Sequence, residues 1–175
     1  MIGGGMIGRR AGAVGILCML GTAALAEDAQ PDPSGTYLCK LTASAGLRLD
    51  VPSQSWSGTI FNVQNEALLV KVFDTGKTGT YQTAVPMTYK KYTVSFKNFG
   101  SRDKARECVS SFLSGQFSSE VPIMGGRLDC RFFGTQYRLD FGLKRIQINF
   151  DGAYLDDWKE NQDTPYVAVG TCEKV

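Results

Sequence analysis

The stretch "RLDCRFFGTQYRLDFGLKRIQINF" (residues 127–150) indicates the fold class most clearly, because apolar and polar residues alternate along most of its length. The apolar and aromatic set is Leu128, Cys130, Phe132, Tyr137, Leu139, Phe141, Ile146, Ile148 and Phe150. The positions between them are mostly charged or amide side chains, such as Arg127, Asp129 and Arg131. A period of two is typical of strands that bury one face, so the stretch predicts short strands of an antiparallel sheet.

The same pattern recurs on both sides of this stretch. It is clearest in "GTYLCKLT" (35–42), "KKYTVSFK" (90–97) and "YVAVGTC" (166–172), and apolar β-branched runs lie at 58–63 and 67–74. Many short strands at close spacing predict an all-β fold: a small antiparallel β-barrel of about eight strands, with a two-sheet sandwich as the alternative. The segment 100–115 is the least strand-like and predicts a short helix near Cys108.

The first residues have the three parts of a secretory signal peptide. Arg9 and Arg10 precede an apolar run, and small residues end at Ala26. The run is interrupted by glycines and is shorter than the roughly 20 residues that cross a membrane. We therefore expect a cleaved leader at 1–26, one domain at 27–175, no membrane span in the mature chain, and a periplasmic or secreted product.

Charge and composition argue against two classes of partner. Two of the 19 basic residues lie in the leader, so 17 basic and 17 acidic residues remain and balance. A balanced surface does not favour nucleic acid or an anionic membrane.

Cysteine usage predicts two disulfides. Cys18 lies in the leader, and the mature chain keeps Cys39, Cys108, Cys130 and Cys172. An even number in an oxidising compartment indicates disulfides, and four cysteines allow three pairings. We favour Cys39–Cys172 with Cys108–Cys130, because the first pair lies on the predicted first and last strands. Wide spacing and the lack of histidine disfavour a zinc site.

The aromatic residues on apolar strand faces allow two interpretations of the interior. They are Tyr92, Phe96, Phe132, Tyr137, Phe141 and Phe150. A filled core is the interpretation we favour, since small barrels are commonly packed with side chains. The alternative is a cavity that these residues line, which would hold a small apolar ligand.

Catalytic and metal sites are weakly indicated. A chain without histidine cannot use the common Ser-His or Cys-His arrangements, so we assign no catalytic residue and no cofactor. A carboxylate-based hydrolase stays as an alternative, but Asp129 and Asp140 alternate with arginines and predict surface ion pairs. The weak candidate for a metal is a calcium site in the acidic loop, with Asp156, Asp157, Glu160 and Asp163.

Two resemblances bear on function. "SGTYLC" (34–39), "WSGTIFNV" (56–63) and "NQDTPYVAVGTCEKV" (161–175) resemble a group of small secreted bacterial proteins without an assigned activity. The Gly35-Thr36-Tyr37 opening is loosely similar to the Gly-x-Trp start of lipocalin-type barrels, with tyrosine in place of tryptophan. The resemblances imply a periplasmic protein and a barrel with a ligand cavity.

We therefore expect a non-catalytic binding protein that holds a small apolar ligand. A secreted inhibitor or interaction module for a protein partner is the alternative, and its candidate loop is "EVPIMGG", Glu120–Gly126.

Overall fold

The computed structural model describes residues 32–82, 84–110, 117–124, 126–140, 142–152 and 164–175. The described residues confirm the all-β prediction and form ten strands instead of about eight. The strands are β1 (Gly35–Asp50), β2 (Ser55–Ile60), β3 (Ala67–Tyr81), β4 (Met87–Asn98), β5 (Arg106–Glu107), β6 (Val121–Ile123), β7 (Leu128–Phe132), β8 (Thr135–Leu139), β9 (Arg145–Phe150) and β10 (Tyr166–Lys174). The predicted leader and Phe141 lie outside the described residues.

All ten strands belong to one antiparallel sheet. Its order is β5-β4-β3-β1-β10-β9-β8-β7, with β2 also paired to β1 and β6 to β4. The first and last strands are neighbours, and Cys39 lies directly opposite Cys172. The Cys172 N–H donates to the Lys144 carbonyl at 2.7 Å, away from β1. Cys39 and Cys172 therefore form a non-hydrogen-bonded pair, the position at which opposite side chains come closest.

Both disulfides favoured from the sequence are present, Cys39–Cys172 and Cys108–Cys130. The first joins the two central strands. The second joins the two ends of the sheet, since Cys108 follows β5 and Cys130 lies on β7. The sheet therefore curls until its ends meet at a covalent bond.

The predicted closed barrel is not found. The first and last strands, β1 and β10, are neighbours inside the sheet, and the ends of the sheet are β5 and β7. Among the described residues, no strand ladder joins these ends; they are linked by one Val109–Arg131 bridge and by the disulfide. β5 has two residues, which pair with β4, and it forms no second ladder with β7. The sandwich alternative is not found either, because the strands share one sheet.

The predicted helix near Cys108 is wrong for the described residues. The Cys108 N–H donates to the Val94 carbonyl at 2.8 Å, and Val109 exchanges hydrogen bonds with Arg131. The backbone on both sides of the disulfide is therefore extended, because each half is tied to a neighbouring strand.

One face of the sheet buries the core. The alternation of apolar and polar residues predicts the buried face of β4 correctly. Tyr92, Val94 and Phe96 are buried between half-exposed neighbours. Phe96 stacks on Tyr137 of β8 with ring centroids 4.0 Å apart. These rings pack against each other across the curled sheet and fill the space between β4 and β8.

The predicted surface ion pairs of Asp129 and Asp140 are confirmed. Asp129 accepts from the Arg138 guanidinium at 3.1 Å across β7 and β8. Asp140 accepts from the Arg145 guanidinium at 2.7 Å and from the backbone N–H groups of Lys144 and Arg145. Both carboxylates are therefore engaged on the solvated face.

We expect Asp140→Asn to lower the free energy of unfolding by about 1 kcal/mol at about pH 7. Burial raises the pKa of Asp140, but the Arg145 guanidinium and the two N–H groups outweigh it and lower this pKa in the folded protein. The stabilisation is therefore complete above the ordinary pKa and is lost as the pH falls through the folded one.

The measurement is the urea midpoint of both proteins at about pH 7 and at about pH 2. The two midpoints should converge at the lower pH. Glu173→Gln is the control, since Glu173 is exposed on β10 and no ion pair is found for it among the described residues. If Asp140→Asn still had a lower urea midpoint than the unmodified protein at the lower pH, the electrostatic explanation would be contradicted.

Candidate functional site

On one side of β1, the neighbouring strand changes from β3 to β2 halfway along the length of β1. A cavity lies where this change occurs. The pairing of β1 with β3 ends at Lys40 opposite Ala67, and its pairing with β2 begins at Ala45 opposite Ile60. Residues 41–44 of β1 therefore face the longer connection 61–66. A cavity of about 380 Å³ lies beside this connection. We call it the gap cavity.

The connection is fastened to β1 at both ends. The Phe61 N–H donates to the Ser44 carbonyl at 3.1 Å, and the Leu41 N–H donates to the Glu66 carbonyl at 3.0 Å. Between these bonds the chain makes a tight turn, in which the Glu66 N–H donates to the Val63 carbonyl at 3.0 Å. Asn65 has a φ of 75°, a left-handed conformation that asparagine tolerates better than most residues. The "VQNE" sequence is therefore suited to the turn that places Glu66.

Apolar and aromatic side chains form most of the lining of the gap cavity: Leu41, Phe61, Val63, Phe150, Tyr166 and Ala168. The Tyr166 ring lies 6.2 Å from Phe61, centroid to centroid, at an interplanar angle of 69°. It lies 5.4 Å from Phe150 at 45°. The three rings thus form one cluster with differently oriented planes.

Gly46 allows this cluster to form. A Cβ atom at Gly46 would lie 2.2 Å from the Pro165 carbonyl oxygen and 2.9 Å from the Phe61 ring. Because both contacts are shorter than a real Cβ permits, a side chain here would push Phe61 or the start of β10 away. The absence of a side chain at Gly46 therefore helps to position two sides of the cavity.

Four polar side chains complete the lining: Ser44, Asn62, Glu66 and Thr164. Ser44 is 6% exposed, and its hydroxyl has no hydrogen-bond partner among the described residues. The site therefore has a hydroxyl without a described protein partner beside apolar surface, where a bound molecule can hydrogen-bond to it.

The Tyr166 hydroxyl stays protonated at neutral pH. Burial raises the pKa of Tyr166, and the negative charge of Glu66 raises it further. The phenol can therefore act as a hydrogen-bond donor in the cavity.

The aromatic residues predicted to line one common cavity do not lie together around one. Tyr92, Phe96 and Tyr137 are buried in the core cluster, whereas Phe132 is only partly buried against it. Phe150 lines the gap cavity. The core around Phe96 and Tyr137 is therefore filled with side chains. The gap cavity lies beside this core.

The other predicted sites are not assembled in the described residues. The weak calcium candidates Asp156, Asp157, Glu160 and Asp163 lie outside them. Within the described ranges, no group of three or more cysteine or acidic side chains is placed to hold a metal ion. The proposed interaction loop contains β6, where Val121 and Ile123 are buried in the core, whereas Pro122 and Met124 are half-buried.

Ser44, Phe61 and Glu66 were missed by sequence reasoning. Phe61 ends an apolar run, Glu66 lies in a turn-like segment, and Ser44 lies among small residues in "LTASAG". The "QNE" segment, which interrupts two strand patterns, was the one feature that could have indicated a site here. It does not show which part of β1 lies opposite it.

Two further openings are less suited to a ligand. One of about 530 Å³ lies beside Tyr37, Lys144 and Lys174, but the Tyr37 hydroxyl already donates to the Pro33 carbonyl at 2.7 Å. Another of about 250 Å³ lies on the outer face between Arg131 and Asp151. Neither is lined by an unpartnered, buried polar side chain of a described residue.

The chain matches no known protein family, no characterised protein and no solved structure. The resemblances noted in the sequence therefore stay predictions. Within the part of the chain that the structure describes, no helix is both long and apolar enough to span a bilayer.

Proposed function

We propose that the chain is a periplasmic or secreted, non-catalytic binding protein that holds one small, largely apolar ligand in the gap cavity. The observation that carries the proposal is the unpartnered Ser44 hydroxyl in a cavity lined by three aromatic rings. Ligand sites are typically apolar clefts with a few polar groups that orient the bound molecule.

Two features support the proposed periplasmic or secreted location. The first 26 residues follow the plan of a secretory leader. Two disulfides are consistent with an oxidising environment, in which they form and persist.

A binding role fits the site better than hydrolysis does. Glycoside-type hydrolysis needs two carboxylates that flank one bond. Glu66 is the one carboxylate that lines the cavity among the described residues. Asp129 and Asp140 are engaged by arginines on the outer face.

The test is binding of N-phenyl-1-naphthylamine, a neutral apolar probe that fluoresces when it leaves water. We expect one saturable site, and we expect Ala168→Leu to weaken binding by at least about tenfold by filling the cavity. Val167→Leu is the matched control, because Val167 is the neighbouring residue of β10 and is 45% exposed on the opposite face.

Near-ultraviolet circular dichroism would verify that both variants fold. If Ala168→Leu does not fold, Phe61→Ala replaces it, since Phe61 is only half-buried at the cavity. No saturable binding, or equal binding by the cavity variant and the Val167→Leu control, would overturn the proposal.

A further inference from the structure

Glu66 lacks the ion pair that four other carboxylates of the described chain form. Asp74 is paired with Lys90, and Glu120 with Lys77 and Lys91. Asp129 and Asp140 are paired with arginines. Glu66 has no ion-pair partner among the described residues, and it is the one charged side chain lining the gap cavity. Glu66 is exposed, so the cavity carries this unpaired negative charge on a side that water reaches.

The charge lies in a cavity that is also lined by aromatic rings. Phe61, Phe150 and Tyr166 form one cluster, and their planes are inclined at 69° and 45° to one another. The face of an aromatic ring attracts a cation, and sites with several rings are used to bind methylated ammonium groups. An anionic ligand would meet Glu66 and the negative ring faces, so the site disfavours it.

We propose that the ligand of the gap cavity is a small organic ammonium ion, held by the Glu66 carboxylate and the rings of Phe61, Phe150 and Tyr166. The inference rests on the proposed function and names the chemical class of its ligand. The methyl or methylene groups of such an ion contact Leu41 and Val63, and a hydroxyl on the ligand would pair with Ser44.

The size and the local charge agree with this class. A volume of about 380 Å³ is near the lower end of the range for small-molecule sites, roughly 300–1,000 Å³. Lys40, the nearest cation along β1, is exposed between the buried Cys39 and the half-buried Leu41, so it lies on the opposite face of the strand. No described cation therefore lines the cavity and competes with the ligand for Glu66.

The experiment compares choline with 3,3-dimethylbutan-1-ol, which has the same shape but a neutral carbon in place of the nitrogen. Binding to the full mature chain is followed by nuclear magnetic resonance titration. We expect choline to bind more tightly by about tenfold, because only choline gains from the ring faces and the carboxylate. We also expect added salt to weaken the binding of choline and not of the alcohol.

Two substitutions separate the contributions of charge and ring. Glu66→Gln keeps the shape of the side chain and should weaken the binding of choline about fivefold more than the binding of the alcohol. Phe61→Leu keeps an apolar side chain and should reduce the preference for choline about fivefold. Glu107→Gln is the matched control, since Glu107 is exposed on β5, away from the cavity.

The outcomes distinguish this inference from the proposed function. Equal affinities for choline and the alcohol, or no effect of Glu66→Gln on the preference, would overturn the ammonium inference and leave the cavity as an apolar site. If neither compound binds but N-phenyl-1-naphthylamine does, the ammonium inference again fails and the proposed function stands. If no probe binds, both fail.

Discussion

Replacing both Cys39 and Cys172 by alanine should lower the free energy of unfolding by about 4–5 kcal/mol. The two residues are 133 positions apart, so their disulfide restricts nearly the whole described chain in the unfolded state. Cys39 is also fully buried in the core, beside the β1–β10 ladder. Because a small domain has roughly 5–15 kcal/mol of stability in total, this loss would leave the fold marginal.

The second disulfide is the internal comparison. Cys108 and Cys130 are 22 positions apart, and the same chain-entropy reasoning predicts a smaller loss of about 3 kcal/mol for the double alanine variant. This loss should be accompanied by fraying of β5 and β7, because the disulfide joins the two ends of the sheet.

Guanidinium unfolding of both double variants measures the losses, and hydrogen exchange of the Val109 and Arg131 amides measures the fraying. Each single cysteine variant, with its remaining thiol alkylated, should lose at least as much stability as the corresponding double variant. A larger loss for Cys108/Cys130 than for Cys39/Cys172 would show that native-state strain or packing, and not chain entropy, governs the two bonds.

Phe96→Ala should lower the free energy of unfolding by about 3–5 kcal/mol. The side chain is 2% exposed and lies opposite the fully buried Val70 of β3. Its ring stacks on Tyr137 at 4.0 Å and an interplanar angle of 16°. Truncation therefore leaves a cavity between β4 and β8 and removes a ring contact that holds two distant parts of the sheet together.

Phe73→Ala is the matched control for this prediction. Phe73 lies on the neighbouring strand β3 but is 61% exposed on the outer face, so we expect a loss of about 0.5 kcal/mol or less. Urea unfolding of the two variants provides the comparison. Similar losses for both would mean that the stack between Phe96 and Tyr137 contributes little to stability.

The faces of the strands were predictable from the sequence. The period of two correctly separates Tyr92, Val94 and Phe96 from their half-exposed neighbours. It also assigns Asp129 and Asp140 to the outer face, where they form ion pairs. These features were predictable because the side chains of a strand point alternately to its two faces, whichever strands lie beside it.

The topology and the candidate site could be recognised only in the folded structure. Alternation does not state which strands are neighbours, so the sequence could suggest a β1–β10 pair but not that this pair lies inside an unclosed sheet. The gap cavity exists because β1 exchanges β3 for β2 between Lys40 and Ala45. Ser44, Glu66 and Tyr166 meet there from separate segments, and such a meeting depends on long-range strand pairing that no local pattern encodes.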